Sequence, residues 1–200
     1  LFIYLPETDF DQEAFLKDLE KAFETNCNLI VCVSEGIHDA EGTFICEYDS
    51  SVGTDTFGHK MLAGCGKYLE NLVRSRLGVK ARSVELNVSQ RCSAAMISAT
   101  DQQEAVAAGK FGVQAALNGE TGKMVSFIRE ADADGNYQMV CGLEDVNEIC
   151  NQEKVVPAEW ITPDGHDVTE DFVRYARPLI QGDVNVPLGE DGLPAFVYRK

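Results

Sequence analysis

Two short apolar runs with a helical pattern between them open the chain, and this order restricts the possible folds most strongly. The first run covers residues 1–5 and the second covers residues 29–33. Between them, Asp9 is predicted to cap a helix, with Gln12 three positions later as its capping-box partner. An unbroken apolar run is typical of a strand covered on both faces in a parallel sheet. The order therefore predicts a strand–helix–strand unit of an α/β protein.

Helical and strand patterns continue through the middle of the chain. The longest helical pattern covers Phe57–Leu77, and Gly78 is predicted to end that helix as its C-cap. Lys80–Val88 alternates apolar and polar residues, which favours a strand. Thr100–Leu117 is predicted to be a helix with Thr100 as its cap, and its small residues, including Gly112, indicate close packing against a neighbouring element.

The last third of the chain is predicted to contain a hairpin and two short helices. Met124–Ile128 and Tyr137–Cys141 are predicted strands, and the residues at 132–135 between them favour a hairpin turn. The short helices are predicted over Asp145–Cys150 and Val168–Tyr175.

The charge balance argues against one class of partner. Lys and Arg number 17 against 33 Asp and Glu, which gives a formal net charge of −16. Because a nucleic-acid binder needs clustered basic residues that displace counterions, we expect no nucleic-acid partner. No apolar run reaches the roughly 18 residues that a membrane helix needs, so no membrane span is expected. The charge is that of a cytoplasmic protein.

The first residues indicate a piece of a longer protein. Leu1 is not an initiator methionine, and the apolar stretch that follows it ends at Pro6. That stretch is too short for the apolar core of a signal peptide and lacks a basic start. We therefore expect a strand whose preceding chain is missing.

Cysteine and histidine patterns predict neither disulfides nor a metal site. The seven cysteines form an odd set without a CxxC pair: Cys27, Cys32, Cys46, Cys65, Cys92, Cys141 and Cys150. We expect buried, reduced thiols in a cytosolic protein. The three histidines are scattered and form no tight ligand spacing with cysteine, so no metal is expected in this chain.

Glu35 is the first candidate site residue, because it stands just past the carboxyl end of a predicted strand. Open α/β sheets bind ligands outside the carboxyl ends of their strands, and a carboxylate there can accept hydrogen bonds from sugar hydroxyls. The alternative is that Glu35 caps the next turn or lies in solvent. Position alone does not decide between the two.

Arg82 and Arg91 flank the predicted strand and are candidates for binding phosphate. A guanidinium group gives bidentate hydrogen bonds and stays charged. The two are nine residues apart, and an extended chain of that length would separate them by roughly 25–30 Å. Both could bind one phosphate only if the chain bends sharply or if two subunits share the site. The alternative is two ordinary surface ion pairs.

Several segments together resemble the C-terminal part of the phosphofructokinase family. In chain order they are Leu5-Pro6-Glu7, Ile30–Gly36, Arg82–Arg91 with its final Gln90-Arg91 pair, Asp101 with the helix after it, and Thr121–Val125. Phe57–His59 and Tyr175–Ile180 resemble the longer, diphosphate-using branch. The resemblance implies the C-terminal part of a phosphofructokinase-like three-layer sandwich with a mostly parallel sheet.

The resemblance also implies a role for each part of the chain. Residues 1–182 would be the sugar-phosphate-binding part, and the Pro- and Gly-rich residues 183–200 would be an extension that wraps the surface. The Gly-Gly-Asp segment and the catalytic Asp segment of the family, together with the Mg²⁺ site, lie in an N-terminal half that is absent here. We therefore expect no catalytic residue in this chain, and we expect the chain alone to be inactive.

Carried over by position, the resemblance gives three residues a role. Glu35 would accept hydrogen bonds from hydroxyls of fructose 6-phosphate, and Arg91 would bind its 6-phosphate. Arg82 would reach into the same site from a neighbouring subunit, which implies at least a dimer. The intact protein would convert fructose 6-phosphate and diphosphate to fructose 1,6-bisphosphate and phosphate in glycolysis.

One position departs from the family pattern. Val88 stands three residues before Arg91, where the family usually has a His or Tyr that contacts the phosphate. Because Val88 cannot donate a hydrogen bond, that contact is lost or is moved to Ser89 or Gln90.

Other functions stay open at this point. An ATP-dependent phosphofructokinase is the nearest alternative, since the residue that selects the donor would lie in the absent half. A non-catalytic regulatory subunit that binds a sugar phosphate is an alternative from another class. A third is an α/β domain whose arginines lie on the surface and bind no ligand.

Overall fold

A computed structural model describes residues 1–48, 64–93 and 96–195, with the backbone alone at positions 90 and 91. The chain forms two compact units, each built from two stretches of sequence. The first unit consists of Leu1–Asn87 and Val155–Phe172, and the second consists of Val88–Lys154 and Val173–Lys200. The division into residues 1–182 and 183–200 stays a prediction.

The first unit begins with the predicted strand–helix–strand arrangement. Strand β1 is Phe2–Tyr4, helix α1 is Gln12–Phe23 and strand β2 is Val31–Val33. The two strands pair in parallel, with Phe2 opposite Val31. Parallel strands need a crossover between them, and α1 provides it. The predicted βαβ unit is confirmed.

Helix α1 begins two residues later than the capping pattern predicts. Asp11 is the N-cap, and its carboxylate accepts hydrogen bonds from the backbone N–H groups of Glu13 and Ala14. The Gln12 amide oxygen does not close a capping box with Asp9. Instead it accepts a hydrogen bond of 2.7 Å from the hydroxyl of Tyr68, a residue distant in sequence.

The core of the first unit forms where α1 packs on β1 and on a second helix. Helix α2 is Cys65–Leu77, and Gly78 ends it with a φ of 66°, as predicted. Positions 57–63 of the predicted helix lie outside the described residues. Aromatic rings of β1 and α1 meet edge to face in this core. The buried core residues are Phe2, Tyr4, Phe10, Phe15, Leu16, Leu19, Ile37, Ile45, Cys46, Cys65, Leu69 and Val73.

Two expectations for the first unit are wrong. The run at residues 29–33 is not covered on both faces, because Ile30 is 65% exposed and Cys32 is exposed. Residues 80–88 form no strand. A strand needs a partner for its backbone hydrogen bonds, and among the described residues that segment has none. Its alternating apolar side chains therefore face solvent, with Val84 81% exposed.

The second unit contains a short helix, a long helix and a hairpin. Helix α3 is Ser89–Cys92 and helix α4 is Ala99–Leu117. Ser98 rather than Thr100 caps α4, because the Ser98 hydroxyl accepts from the Asp101 N–H and also donates to the Leu179 carbonyl. Helix α4 ends at Leu117, as predicted, and Asn118 is its C-cap.

The hairpin of the second unit is confirmed and is longer than predicted. Strand β3 is Lys123–Ala131 and strand β4 is Tyr137–Asp145, paired antiparallel. In the turn, one Asp132 oxygen accepts hydrogen bonds from the N–H groups of Asp134 and Asn136. A Cβ added at Gly112 of α4 would lie 3.3 Å from Val125 of β3, which confirms the predicted close packing of that helix.

Short helices complete the chain. Helix α5 is Val146–Ile149 and helix α6 is Glu170–Ala176, both within predicted helical segments apart from the last residue of α6. Single 3₁₀ turns occur at Ile45–Tyr48, Ala158–Trp160 and Arg177–Ile180.

The cysteines are all free, but the expectation that they are buried is only partly right. Cys46 and Cys65 are buried and Cys141 is half-buried. The exposed thiols are those of Cys27, Cys32, Cys92 and Cys150. Cys32 lies in β2 and Cys92 in α3, whereas Cys27 and Cys150 lie outside the helices and strands.

Candidate sugar-phosphate site

Glu35 lies in the turn that follows β2, as its place in the sequence predicts. Its side chain is exposed, and the turn is closed by a hydrogen bond from the Gly36 N–H to the Ser34 hydroxyl. A Cβ added at Gly36 would lie 3.4 Å from the Cβ of Pro6, which follows β1. Because β1 and β2 run in parallel, Glu35 stands at the edge of the sheet where both strands end.

Glu7 lies at the same edge and was not singled out as a candidate. One of its carboxylate oxygens accepts a hydrogen bond of 2.9 Å from the Val156 N–H. Its other oxygen is buried and has no hydrogen-bond partner among the described residues. The Pro-Glu pair after the first strand was the signal that could have marked it, since both of its residues line the carboxyl edge of the sheet.

The N-terminal end of α2 lies close to Glu35. The Cys65 thiol is buried there, and its pKa is raised to about 12, first by burial and then by the neighbouring Cys46, Glu85 and Glu35. Two carboxylates from separate segments therefore act on one thiol. The first turn of α2 is thus near both the turn that carries Glu35 and the segment that carries Arg82.

The segment around Arg82 is extended and attached to α2. The Ser83 N–H and hydroxyl both donate to one carboxylate oxygen of Glu70, at 2.9 Å and 2.7 Å. A Cβ added at Gly66 would lie 3.4 Å from the Cβ of Ser83, so the segment passes close over the helix. Arg82 itself is exposed, and its guanidinium has no hydrogen bond or ion pair among the described residues. The backbone next to Arg82 is therefore held in place, while the Arg82 guanidinium remains available to a ligand.

Glu70 is the acidic residue that makes this attachment. Its second carboxylate oxygen accepts from Lys67 at 2.8 Å and from Arg74 at 3.3 Å. Hydrogen bonds from Lys67 and then Ser83 lower the pKa of Glu70 to about 2. The carboxylate is therefore ionised at neutral pH. No sequence pattern singles out Glu70, because its partner Ser83 meets it only after the chain folds back along α2.

Arg91 lies in α3, which belongs to the second unit. The helix follows Asn87, whose φ is 44°, and Val88, whose carbonyl accepts from the Cys92 N–H. Val88 and Ser89 are exposed, and Gln90 and Arg91 are located by their backbone. The candidate residues therefore divide into Glu35 and Arg82 in the first unit and Ser89, Gln90 and Arg91 in the second.

A metal site and a membrane-spanning helix are both absent from the described residues. These residues contain no group of three or more His, Cys, Asp or Glu side chains placed to hold a metal ion. No helix among them has both the length and the apolar character needed to span a membrane. A groove between α1 and α2 is lined by charged residues including Glu13 and Arg76, and it contains none of the candidate residues.

Nearly the whole chain is similar to curated pyrophosphate–fructose 6-phosphate 1-phosphotransferases. The enzyme of that name from Xanthomonas campestris is 36% identical over 198 residues, which is 99% of this chain and 46% of that protein. Its namesake from Methylococcus capsulatus is 36% identical over 197 residues, which is 98% of this chain and 46% of that protein. The chain thus spans less than half the length of these relatives. No protein-family model matches the chain.

The fold matches a solved structure of the same kind. The crystal structure of the pyrophosphate-dependent phosphofructokinase from Nitrosospira multiformis has a TM-score of 0.77 and 28% identity, over 98% of this chain and 44% of that one. Along nearly its whole length the chain is therefore similar to members of the phosphofructokinase family, and the predicted phosphofructokinase-like α/β fold is confirmed. Within that family, these relatives and this structure are named for the diphosphate-dependent reaction.

Proposed function

We propose that this chain is the fructose 6-phosphate-binding part of a diphosphate-dependent phosphofructokinase. The observation that supports this most strongly is the match of 99% of the chain to a relative named for that reaction. The complete enzyme transfers a phosphoryl group from diphosphate to the 1-hydroxyl of fructose 6-phosphate. The products are fructose 1,6-bisphosphate and phosphate, in the cytoplasmic reactions of glycolysis.

Three residues of this chain bind the sugar phosphate in this proposal. Glu35 accepts hydrogen bonds from sugar hydroxyls, which its exposed position at the carboxyl edge of the sheet supports. Arg91 binds the 6-phosphate through its guanidinium group, with Ser89 and Gln90 beside it. Arg82 extends into the site of a neighbouring subunit, and the lack of any partner for it among the described residues is consistent with that role. The enzyme is then at least a dimer.

The phosphoryl-transfer centre lies outside this chain in the same proposal. Phosphoryl transfer depends on positioning of the two substrates and on neutralisation of charge by metal ions. The chain spans 46% of its Xanthomonas campestris relative, and in this proposal the metal, the diphosphate and the catalytic base belong to the remainder of the enzyme. The chain by itself is then inactive.

The first test is calorimetric titration of fructose 6-phosphate into the full-length protein, with diphosphate absent. We expect Arg91→Ala to weaken binding by about 10- to 100-fold, since a hydrogen bond to a charged group contributes about 1.5–3 kcal/mol. The melting temperature of Arg91→Ala should match that of the wild type, which would show that the loss is one of binding and not of folding.

Arg76→Ala is the matched control for this titration. Arg76 is an exposed arginine of α2 that pairs with Glu13 at 2.8 Å and not with any candidate residue. Its removal should leave fructose 6-phosphate binding unchanged. Equal binding by the wild type and Arg91→Ala would return Arg91 to the status of a surface charge and overturn this part of the proposal.

A further inference from the structure

The segment that carries Arg82 has anchors on both sides of that residue. Along residues 79–84 the side chains alternate between half-buried and exposed. Val79 and Ala81 pack against the core of the first unit, and Ser83 is hydrogen-bonded to Glu70. Arg82 stands between the last two of these anchors with its side chain on the exposed side. These contacts fix the backbone at Arg82, although the segment is not part of a β-sheet.

Among these anchors, only the one at Ser83 depends on a single charged side chain. Lys67 and Arg74 occupy one oxygen of Glu70, which leaves the other oxygen to receive both hydrogen bonds from Ser83. The Glu70 side chain is only 10% exposed, so water competes little for these bonds. Because two cations hold one oxygen of the Glu70 carboxylate, the group rotates less freely and its other oxygen stays directed at Ser83.

We propose that Glu70 is a positioning residue for Arg82. By holding Ser83, Glu70 fixes the backbone beside Arg82 and presents the guanidinium in the geometry that the sugar phosphate needs. This inference rests on the proposed function, because it takes Arg82 to be a ligand of fructose 6-phosphate. A group that is held in place before binding loses less freedom when the ligand arrives, which strengthens binding without a new contact.

Glu70→Gln in the full-length protein tests the inference. The amide keeps the shape of the side chain but removes the charge that Lys67 and Arg74 hold, and it retains only one oxygen as an acceptor. We expect the Kd and KM for fructose 6-phosphate to rise about tenfold, with kcat and the KM for diphosphate within about twofold of the wild type. A loss of binding alone has this kinetic signature.

Glu13→Gln is the matched control. Glu13 is likewise a carboxylate paired with an arginine of α2, through two hydrogen bonds from Arg76 at 2.9 Å and 2.8 Å. It has no hydrogen bond to the segment at residues 79–84. We expect Glu13→Gln to bind fructose 6-phosphate as the wild type does, and a tenfold loss in this control would overturn the assignment to Glu70.

A double-mutant cycle with Arg82→Ala separates positioning from a general structural effect. If Glu70 acts through Arg82, adding Glu70→Gln to Arg82→Ala should weaken binding no further. Losses that multiply in the double variant would overturn the inference. A normal affinity in Glu70→Gln alone, with a weakened Arg82→Ala, would also overturn it. A normal affinity in Arg82→Ala would instead overturn the proposed role of Arg82.

Ser83→Ala provides a second variant in case Glu70→Gln does not fold. It removes the hydroxyl bond of 2.7 Å and leaves the backbone bond of 2.9 Å in place. We expect a smaller loss of fructose 6-phosphate affinity, about threefold, which should also vanish in the Arg82→Ala background. Wild-type affinity in Ser83→Ala would count against the anchor.

Discussion

Single carboxylates determine how several segments of this chain begin and turn. Asp11 caps α1, Asp132 closes the hairpin turn and Glu70 holds the segment after α2. In each case a carboxylate oxygen accepts from backbone N–H groups that the local structure leaves without a partner. The sequence shows that acidic residues are available at these places, but neighbouring acids compete for the same role.

The start of α1 gives a test at this scale. Asp11→Ala should lower the free energy of unfolding by about 1 kcal/mol, because two N–H groups of the first turn lose their acceptor. Urea denaturation of the full-length protein would measure the change. Asp9→Ala is the control, since the Asp9 carboxylate does not cap the helix and its contact is with His38, at 3.8 Å. A larger loss from Asp9→Ala than from Asp11→Ala would contradict the observed cap.

The site could be predicted only in part at the scale of residues. Glu35 could be placed because a residue just after a strand lies at the edge of the sheet wherever the strand belongs. The estimate from an extended chain placed Arg82 and Arg91 far apart, and the two residues belong to different compact units. Glu70 could not be predicted, because its contact with Ser83 arises from folding and leaves no spacing pattern.

Elements whose patterns lie within one stretch of sequence were predicted well. The strand expected at residues 80–88, which would need a partner from a distant part of the chain, was not. The hairpin of β3 and β4 has its turn, its strands and its pairing within one stretch of sequence. Residues 80–88 have the alternation of a strand, yet alternation describes only which side chains share a face. The pairing partner is a property of the rest of the fold, so the same pattern yields an extended segment here.

Helix α4 provides a test of packing at the scale of elements. Gly109→Ala should raise the free energy of unfolding by about 0.5–1 kcal/mol, since alanine favours the helix and no atom lies within 4 Å of the added Cβ. Gly112→Ala should gain less or lose, because its Cβ would meet Val125 at 3.3 Å. Urea denaturation of both variants compares the two sites. Equal gains would mean that α4 and β3 pack less closely than described.

At the scale of the whole molecule, the two units differ in how much they bury. Among the described residues, all of the buried apolar side chains belong to the first unit. Helix α4 has no buried residue, and Val106, Val113 and Leu117 on it are exposed. Sequence patterns predict which face of a helix is apolar, but they do not predict whether this chain itself supplies the surface that covers it.

Two carboxyl groups with lowered pKa values predict how the stability of the protein changes with pH. The pKa of Glu70 is lowered to about 2 by Lys67 and Ser83, and hydrogen bonds led by the one from the Asn136 N–H lower the pKa of Asp132. A carboxyl group whose folded pKa is lowered stabilises the protein fully above its unfolded pKa. That stabilisation is lost as the pH falls through the folded pKa.

Urea denaturation at several pH values would measure this loss. The contribution of these two groups should be constant from pH 7 to pH 5 and should decline from about pH 4.5 towards pH 2. In Glu70→Gln the amide does not titrate, so the decline should be shallower than in the wild type. The same steepness in both proteins would show that Glu70 does not contribute to the acid sensitivity.

The exposure of Cys92 has a practical consequence for optical measurements. This thiol follows Arg91 directly in the chain, and it is free and exposed. An environment-sensitive dye attached to it would place a fluorescent reporter one residue from the proposed phosphate ligand. The other exposed thiols, at Cys27, Cys32 and Cys150, would first be changed to serine so that a single label reports on the occupancy of the site in real time.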